Sequence, residues 1–372
     1  MKKILYIHHA GGFGGAPKSM SYIIKNLDKT KYEPVLLNIS DGEINAFFQQ
    51  ELGCNPIIDR RIRPFNGTNG VHPGIKLFIR NWVFFIPSIY RAYKQIKKIE
   101  PDIIHLNSTC LFAFAIAASF ISPKPTVICH VRETIRTGPV GFPLRFFNSR
   151  FVDKFIAICN YGLQSLGKIP DKAEQKVIYN FVDKYYTKEE NNNELKKEYG
   201  LSDDSVIFLY LARFGTGNGW NELIQMANRI LSAEGNENLY FLLLGATDKS
   251  HYLQNIHPNI KIISFQKDAD KFLKGSDVFV CPFVEPHFSR GIIEASAFSL
   301  PTIGANIGGV DESVVHGKTG FLYNSEEEFS KYVAELSRDK ESRKMMGKEA
   351  YQFACDNFNM VNNLKETYNL YE

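Results

Sequence analysis

The sequence predicts an α/β chain built from two doubly wound halves, each a parallel sheet covered by helices. Three observations carry that expectation. Short apolar runs alternate with stretches of helical period along nearly the whole chain, the pattern of strands joined by crossover helices. At 372 residues the chain is too long for one ordinary core and calls for two domains. A glycine-rich turn follows the first strand of each half, at Gly11 to Gly15 and at Gly215 to Gly219.

In the first half, residues 4–8, 34–38, 103–106, 126–130 and 154–158 read as strands, with helices at 19–27 and 112–120 among the segments between them. The opening Met1-Lys-Lys-Ile-Leu-Tyr-Ile-His8 has the charged start of a signal peptide. It lacks the long apolar stretch and cleavage site that should follow, so it reads as the first strand. The second half repeats the theme at 206–211, 239–244, 260–264, 278–282 and 301–304. Between the two sets, residues 184–199 are rich in Glu, Asn and Lys, bury little surface and mark the boundary. The expected organisation is a domain at 1–184, a second at 185–345, and a tail at 346–372 crossing back to the first. That tail is helical from Ser342 onward, with Tyr368 and Tyr371 spaced for one face. Two such halves facing each other would gather the loops at the carboxyl ends of their strands around a central cleft, where open parallel sheets bind ligands.

The composition, 44% hydrophobic and 23% charged, is that of a globular protein. A net charge of +4 hides an asymmetry: residues 1–184 carry 25 Lys+Arg against 13 Asp+Glu, and the remainder 19 against 27. The basic and acidic halves call for different partners. The six cysteines are scattered without a CxxC pair, mostly within apolar runs, which fits reduced thiols in a cytoplasmic protein. No run reaches the ~20 apolar residues of a spanning helix.

Residues 75–98 mix aromatic and basic side chains. Read as one helix bent at Pro87, they place Arg80, Arg91, Lys94 and Lys98 on one side, able to meet anionic headgroups on the inner face of a membrane. The alternative is a core helix with a solvated basic face. The aromatics sit in an apolar run rather than as stacking platforms, so no nucleic-acid partner is expected.

Four segments carry candidate chemistry. Gly11-Gly-Phe-Gly-Gly-Ala-Pro-Lys18 lets backbone approach a phosphate or sugar closely at Gly14, Gly15 and Ala16, or is simply a tight strand-to-helix turn. As a dinucleotide fingerprint it fails, since Pro17 takes the third glycine position, and this disfavours a dinucleotide-dependent oxidoreductase. His130 ends an apolar strand and suits proton handling or a hydrogen bond to a hydroxyl; the alternative is a satisfied structural histidine. His105 is a weaker candidate of the same kind, and Arg132 and Glu133 can pair with each other. Arg213 leads into the second glycine turn, where a guanidinium beside exposed N–H groups fits a diphosphate or lies idle at the surface. Asp268-Ala-Asp270 has the form of a metal-binding pair, but the helix that follows makes one aspartate an N-cap, and no metal requirement is expected.

The fourth segment, Pro282-Phe-Val-Glu-Pro-His-Phe-Ser-Arg-Gly-Ile-Ile-Glu-Ala-Ser-Ala297, threads polar groups through apolar sequence. As one helix it would put Glu285 and Glu294 on opposite faces. A strand ending near Phe283, a loop through Ser289 and a helix from about Gly291 would instead bring loop, first turn and helix N–H groups together.

Assembled in order, these pieces resemble the retaining GT4-type glycosyltransferases (glycosyltransferase group 1, GT-B fold) over nearly the whole chain. Gly14-Gly-Ala16 is similar to their N-terminal glycine loop, and Lys176-Val-Ile-Tyr-Asn-Phe-Val-Asp183 to their VIxNGVD, with Phe181 in place of glycine. Ser276-Asp-Val-Phe-Val-Cys-Pro282 resembles SDVFVxPS, and Glu294-Ala-Ser-Ala-Phe-Ser-Leu-Pro301 resembles EAMAxGxPV. Gly308-Gly-Val-Asp-Glu312 with Gly317-Lys-Thr-Gly-Phe321 resembles GGxxE…GxxGF. Two departures stand out. Eight residues rather than seven separate Glu285 from Glu294, so the Pro286-His287 region must bulge, and Asn218 stands where the family has a lysine.

The resemblance implies a GT-B architecture and transfer of a sugar from a nucleoside-diphosphate donor to a hydroxyl, with no cofactor or metal. The acceptor it points to is a glycan or lipid-linked precursor of a surface polysaccharide. It implies that Glu294 binds the donor's ribose, that Glu285 and His287 face the donor sugar, and that His130 takes part in catalysis. Arg213, Asn218 and the Phe288, Ser289, Arg290 and Gly291 turn would hold the diphosphate, with Arg290 supplying the charge that Asn218 lacks. Two alternatives remain beside it: a catalytically silent partner of another transferase, raised by Asn218, and a sugar-nucleotide epimerase of the same fold.

Overall fold

The computed structural model describes residues 1–69, 74–187, 194–246, 256–266 and 268–372. The chain forms two compact units, Met1–Asn180 with Val361–Glu372, and Phe181–Met360. The division at Asn180 falls inside the Lys176-to-Asp183 motif. Of the expected boundary segment 184–199, residues 188–193 lie outside the described residues.

Unit 1 begins β1 (Lys2–His8), α1 (Gly15–Lys25), β2 (Tyr32–Asn38), α2 (Glu43–Leu52) and β3 (Ile57–Ile58). It continues α3 (Ile75–Val83), α4 (Phe85–Ile99), β4 (Ile103–Leu106), α5 (Phe112–Ala118), β5 (Thr126–Val131), α6 (Gly138–Phe151), β6 (Lys154–Ala157), α7 (Asn160–Gln164) and β7 (Glu174–Val177). Among the described residues its seven strands are all parallel, in the order β3-β2-β1-β4-β5-β6-β7. Central strands covered on both faces by helices read as continuous apolar runs, and β4 is buried at every position. Register places Tyr6 of β1 beside His105 of β4, and His105 beside Ile128 of β5. Side chains alternate faces along a strand, so His8, Asn107 and His130 follow two residues on, on the same face.

Residues 75–98 form two helices rather than one bent helix. The break is at Phe84, and Pro87 lies in the first turn of α4. A proline there breaks nothing, because a first-turn N–H has no partner inside the helix in any case.

Unit 2 holds α8 (Glu194–Glu198), β8 (Val206–Leu211), α9 (Trp220–Leu231), β9 (Leu239–Ala246), β10 (Ile260–Ser264), α10 (Asp270–Gly275), β11 (Val278–Cys281), α11 (Arg290–Ala297), β12 (Thr302–Ala305) and β13 (Gly320–Tyr323). Its parallel order is β10-β9-β8-β11-β12-β13. Phe208, Phe241, Leu243, Ile303 and Phe329 are among the side chains that fill its core.

The chain then runs α12 (Glu326–Arg338), α13 (Lys340–Asn357) and α14 (Met360–Asn369). The tail is therefore two helices, and Tyr371 lies past the end of the second rather than on a helical face with Tyr368. Residues from Val361 onward belong to unit 1: Lys176 pairs with Glu366, and Tyr368 Oη donates to the Ile23 carbonyl at 2.9 Å. Among the described residues no helix is long and apolar enough to cross a membrane.

Candidate active site

In unit 2 the carboxyl ends of β8 and β11 carry one polar cluster. After β8 the chain turns sharply through Gly215 to Gly219. Asn218 Nδ2 donates to the Arg213 carbonyl at 2.7 Å and closes that turn. Gly219 has a φ of 67°, and a Cβ there would sit 1.6 Å from the Pro282 carbonyl oxygen, so only glycine lets the turn dock on the loop after β11. The docking is completed by Val284 and Glu285, whose N–H groups both reach the Gly217 carbonyl, at 3.1 and 3.3 Å. Phe214 stacks on Trp220 with centroids 5.1 Å apart, and Arg213 is left exposed at the strand end.

The loop from Pro282 to Ser289 then enters α11. Ser289 Oγ accepts from the Ile292 N–H at 3.3 Å, a side-chain N-cap. Arg290, in the first turn, donates through Nε to Glu294 Oε1 at 2.9 Å. Phe288 is buried, while the His287 ring is exposed, 5.9 Å from the ring of Phe283. A Cβ at Gly291 would lie 2.8 Å from the Leu211 carbonyl oxygen, which shows how closely the start of α11 abuts the end of β8. Arg213 past the end of β8, and Arg290 and Glu294 at the positive end of α11, thus sit on adjoining strand and helix ends, a setting that favours an anion. A pocket of about 310 Å³ is lined by residues of this loop, Phe283 and Val284, together with Glu222, Ile307 and Tyr323.

In unit 1 the second cluster lies on the face of the sheet that Tyr6, His105 and His130 share. Asn107 organises it. Its Oδ1 accepts from Arg132 Nε at 3.0 Å, so its amide nitrogen must donate, and it does so to His8 Nδ1 at 3.1 Å and to the Ala16 carbonyl at 3.3 Å. The glycine turn at Gly14, Gly15 and Ala16 is thereby tied to β4. Arg132 Nη1 donates to Asn180 Oδ1 at 2.8 Å, and Glu133 accepts from Ser108 Oγ at 3.0 Å. Arg132 and Glu133 thus have asparagine and serine partners, and the Arg132 charge acts on the Glu133 carboxyl as well.

Burial holds the imidazoles here neutral. His105 is pushed down to about 3, by burial and then by the Arg132 charge. His130 and His8 are driven well below the ordinary imidazole value, burial first, with Arg132 and a neighbouring histidine adding to it in each case. Burial lifts the Glu133 carboxyl to about 7 against the opposing effects of Ser108 and Arg132. His130 Nε2 and His8 Nε2 are buried and lack a hydrogen-bond partner among the described residues.

Comparison with known proteins decides the family. Residues 13–185 match the family described as Glycosyltransferase Family 4, and residues 191–353 match Glycosyl transferases group 1. The chain belongs to the GT4-type group 1 glycosyltransferases. It is similar to the capsular polysaccharide biosynthesis glycosyltransferase CapM of Staphylococcus aureus, 25% identical over 290 residues that span 70% of this chain and 74% of that one. It is also similar to the UDP-Gal:alpha-D-GlcNAc-diphosphoundecaprenol alpha-1,3-galactosyltransferase of Escherichia coli, 24% identical over 77% of this chain and 83% of that one. In fold it matches HepE of Anabaena, solved with UDP-glucose, at a TM-score of 0.78 and 19% identity, covering 100% of this chain and 99% of that one. The two parallel sheets are thus those of a GT-B glycosyltransferase.

Within this glycosyltransferase, the structure gathers Arg213, Asn218, Glu285, His287, Phe288, Ser289, Arg290, Gly291 and Glu294 into the unit 2 cluster. It places His130 and Gly14 to Ala16 in the unit 1 cluster. Neither aspartate of the Asp268-Ala-Asp270 pair is the side-chain N-cap of α10. Asp268 Oδ1 accepts from the Asp270 N–H at 2.9 Å, and Lys184 Nζ lies 2.6 Å from Asp270. Sequence reasoning missed His8, Asn107 and Asn180, and gave Arg132 too small a part. A signal existed: Tyr6 and His8, His105 and Asn107, and His130 and Arg132 are polar pairs two residues apart at the ends of neighbouring apolar strands. A strand buried on both faces should carry none.

Proposed function

We propose that this enzyme moves a sugar, with retention of anomeric configuration, from a nucleoside-diphosphate donor to a hydroxyl of a lipid-linked surface-polysaccharide precursor. The observation that carries the donor half is the close approach of the start of α11, which bears Arg290, to the end of β8, which leads into Arg213. As the bond from the anomeric carbon to the diphosphate oxygen breaks, the leaving group gains negative charge, and preorganised donors lower the barrier most at that point. The two guanidiniums and the helix N–H groups supply that stabilisation without calling on a metal. Attack by the acceptor hydroxyl on the face that the diphosphate leaves, with the hydroxyl proton passing to the departing phosphate oxygen, accounts for retention. His130, in unit 1, offers its ring to a substrate hydroxyl.

Glu294 is assigned to the donor's ribose. Glu294→Ala is expected to weaken nucleotide binding roughly 10- to 100-fold, the worth of hydrogen bonds to a charged group. Folding should be nearly unchanged, because the partly exposed pair that Glu294 makes with Arg290 is worth only ~0.3–0.5 kcal/mol. A saturation-transfer screen of UDP-, GDP- and other nucleotide sugars, followed by titration of the variant with the best ligand, checks this. Unaltered affinity would remove Glu294 from the donor site.

The acceptor half rests on the names of the two relatives and on the surface of unit 1. There Ile75, Phe78, Ile79, Trp82, Val83, Phe84 and Ile86 all stand exposed, Trp82 at 43% and Ile86 at 66%. The patch runs inward through Trp82 and Phe85, 5.6 Å apart, to Phe147, 5.1 Å further on. Lys76 and Arg80 lie on the same helix, and Arg63 sits over the Phe84 ring. An apolar patch of this extent with a basic rim fits the surface of an anionic membrane. Vesicles containing phosphatidylglycerol should co-sediment the protein. Because each apolar side chain withdrawn from water is worth ~1.5–3 kcal/mol, the double change Ile79→Ser with Ile86→Ser should cut binding by roughly 100-fold or more. Equal sedimentation of both proteins would refute the membrane assignment.

A further inference from the structure

We infer that Tyr371 and His105 are positioning residues that fix His130 as a hydrogen-bond donor, with its proton held on Nε2. The inference rests on the reading that His130 serves a substrate hydroxyl, and it assigns that ring a single role within it.

Four side chains make a line across one face of the unit 1 sheet. Tyr6 Oη donates to Tyr371 Oη at 3.2 Å, Tyr371 Oη lies 2.7 Å from His105 Nδ1, and His105 Nε2 lies 3.3 Å from His130 Nδ1. All four are buried, Tyr371 at 2% exposure and His130 at 3%. A hydroxyl has one proton to give. The Tyr371 oxygen receives the Tyr6 proton, so its own proton goes to His105 Nδ1. A neutral imidazole carries one N–H, which for His105 is then Nε2, facing His130. His130 Nδ1 must accept, and its own N–H is therefore Nε2.

The reverse assignment fails on the same count. It would run N–H bonds from His130 to His105 and from His105 to Tyr371. Tyr371 would then accept from both Tyr6 and His105, and its own proton would be stranded in a buried site. A stranded buried donor disfavours that arrangement by roughly tenfold or more. Both rings are neutral, as burial and the Arg132 charge require.

Tyr371 is itself held in place. Lys2 Nζ donates to its carbonyl at 3.1 Å, and Lys154 Nζ donates to the carbonyl of Leu370 at 2.9 Å. Its ring packs against those of Tyr32 and Tyr368, with centroids 5.9 and 6.0 Å away. The segment after α14 therefore ends in a fixed hydroxyl, and the line delivers its direction to the last ring. His130 Nε2 is the one atom of that line left without a partner among the described residues. A fixed N–H can orient a sugar oxygen; it cannot remove a proton. His130 is thus a donor and not a general base.

Imidazole nitrogen NMR on the full chain, labelled with nitrogen-15 in histidine and assigned by single-histidine variants, tests the line without any turnover. The expected result is a protonated Nε2 on both rings and a scalar coupling between His105 Nε2 and His130 Nδ1 across the hydrogen bond. Tyr371→Phe keeps the ring packing but removes the hydroxyl, and should shift both His105 nitrogens and lower kcat roughly 3- to 10-fold, the worth of one neutral hydrogen bond, with the donor KM unchanged. His130→Gln, which can hold an N–H near the Nε2 position, should keep at least tenfold more turnover than His130→Ala. A proton on His130 Nδ1, or His105 resonances unmoved by Tyr371→Phe, overturns the inference. If the coupling is present but His130→Ala turns over normally, the line of hydrogen bonds stands and the assignment of His130 to a substrate hydroxyl falls.

Discussion

Acidification from about pH 7 to about pH 5 is expected to cost unit 1 roughly 5 kcal/mol of stability, most of what a domain commonly has. The cause is three buried histidines, His8, His105 and His130, and the half-buried His9. His105 is held down to about 3 and His9 to about 4, both chiefly by burial, and His8 and His130 sit well below the ordinary value. In the unfolded chain each takes up a proton as the pH falls through about 6.5, while the folded protein does not. Each histidine's contribution is therefore complete above about pH 6.5 and drains away below it, by ~2 kcal/mol per ring at about pH 5. Glu133 works the other way. Raised to about 7 by burial, it favours the folded state at low pH and gives up that contribution as the pH rises through 7. Its ~2 kcal/mol in the same interval offsets one histidine of the four. The histidines win.

The chain has two tryptophans, Trp82 on α3 and Trp220 on α9, one in each unit. In a Trp220→Phe background, urea unfolding followed through Trp82 reports on unit 1 alone. Its midpoint should fall steeply between about pH 6.5 and 5, and His9→Gln should flatten the fall by ~2 kcal/mol at the acid end. A midpoint independent of pH across that window would mean that the rings are not held neutral.

How far the sequence disclosed this molecule depended on what each residue had to satisfy. Interior strands such as β4 and β8 announced themselves, because burial on both faces demands an unbroken apolar run. The strands that escaped notice, β3, β7 and β13, all lie at sheet edges. Glu174-Gln-Lys-Val177 and the exposed pair Ile57-Ile58 bury too little to leave a pattern. The turn at Gly215 to Gly219 and the cap at Ser289 were legible because their chemistry is local. The line from Tyr371 to His130 was not, since it joins residues 266 and 25 positions apart, brought together by the docking of the tail and by the register of β4 and β5. Pro87 misled for a related reason: proline marks the middle or the first turn of a helix alike, and only the break at Phe84 tells which.

Arg213→Ala is expected to lower kcat by roughly 10²- to 10³-fold, about 3–4 kcal/mol of transition-state stabilisation. The loss should be this large because Asn218, at the position where the family resemblance places a lysine, offers no charge. Its amide is spent on the Arg213 carbonyl at 2.7 Å, which holds the turn that aims the guanidinium. Arg290 lies in the first turn of α11 with Nε committed to Glu294, so the exposed Arg213 carries much of the positive charge at the end of β8. Folding should be untouched, since the Arg213 side chain is exposed and the turn depends on its backbone carbonyl, which alanine keeps. Nucleotide release from the preferred donor, measured with the melting temperature as a control, gives the comparison. Introducing Asn218→Lys into the Arg213→Ala protein should restore roughly tenfold in kcat by returning a cation to the turn, while costing ~1 kcal/mol of stability for the lost hydrogen bond. If Arg213→Ala releases nucleotide at the normal rate, charge at the end of β8 has no part in sugar departure, and the leaving group must be stabilised at α11 by Arg290 and the helix N–H groups instead.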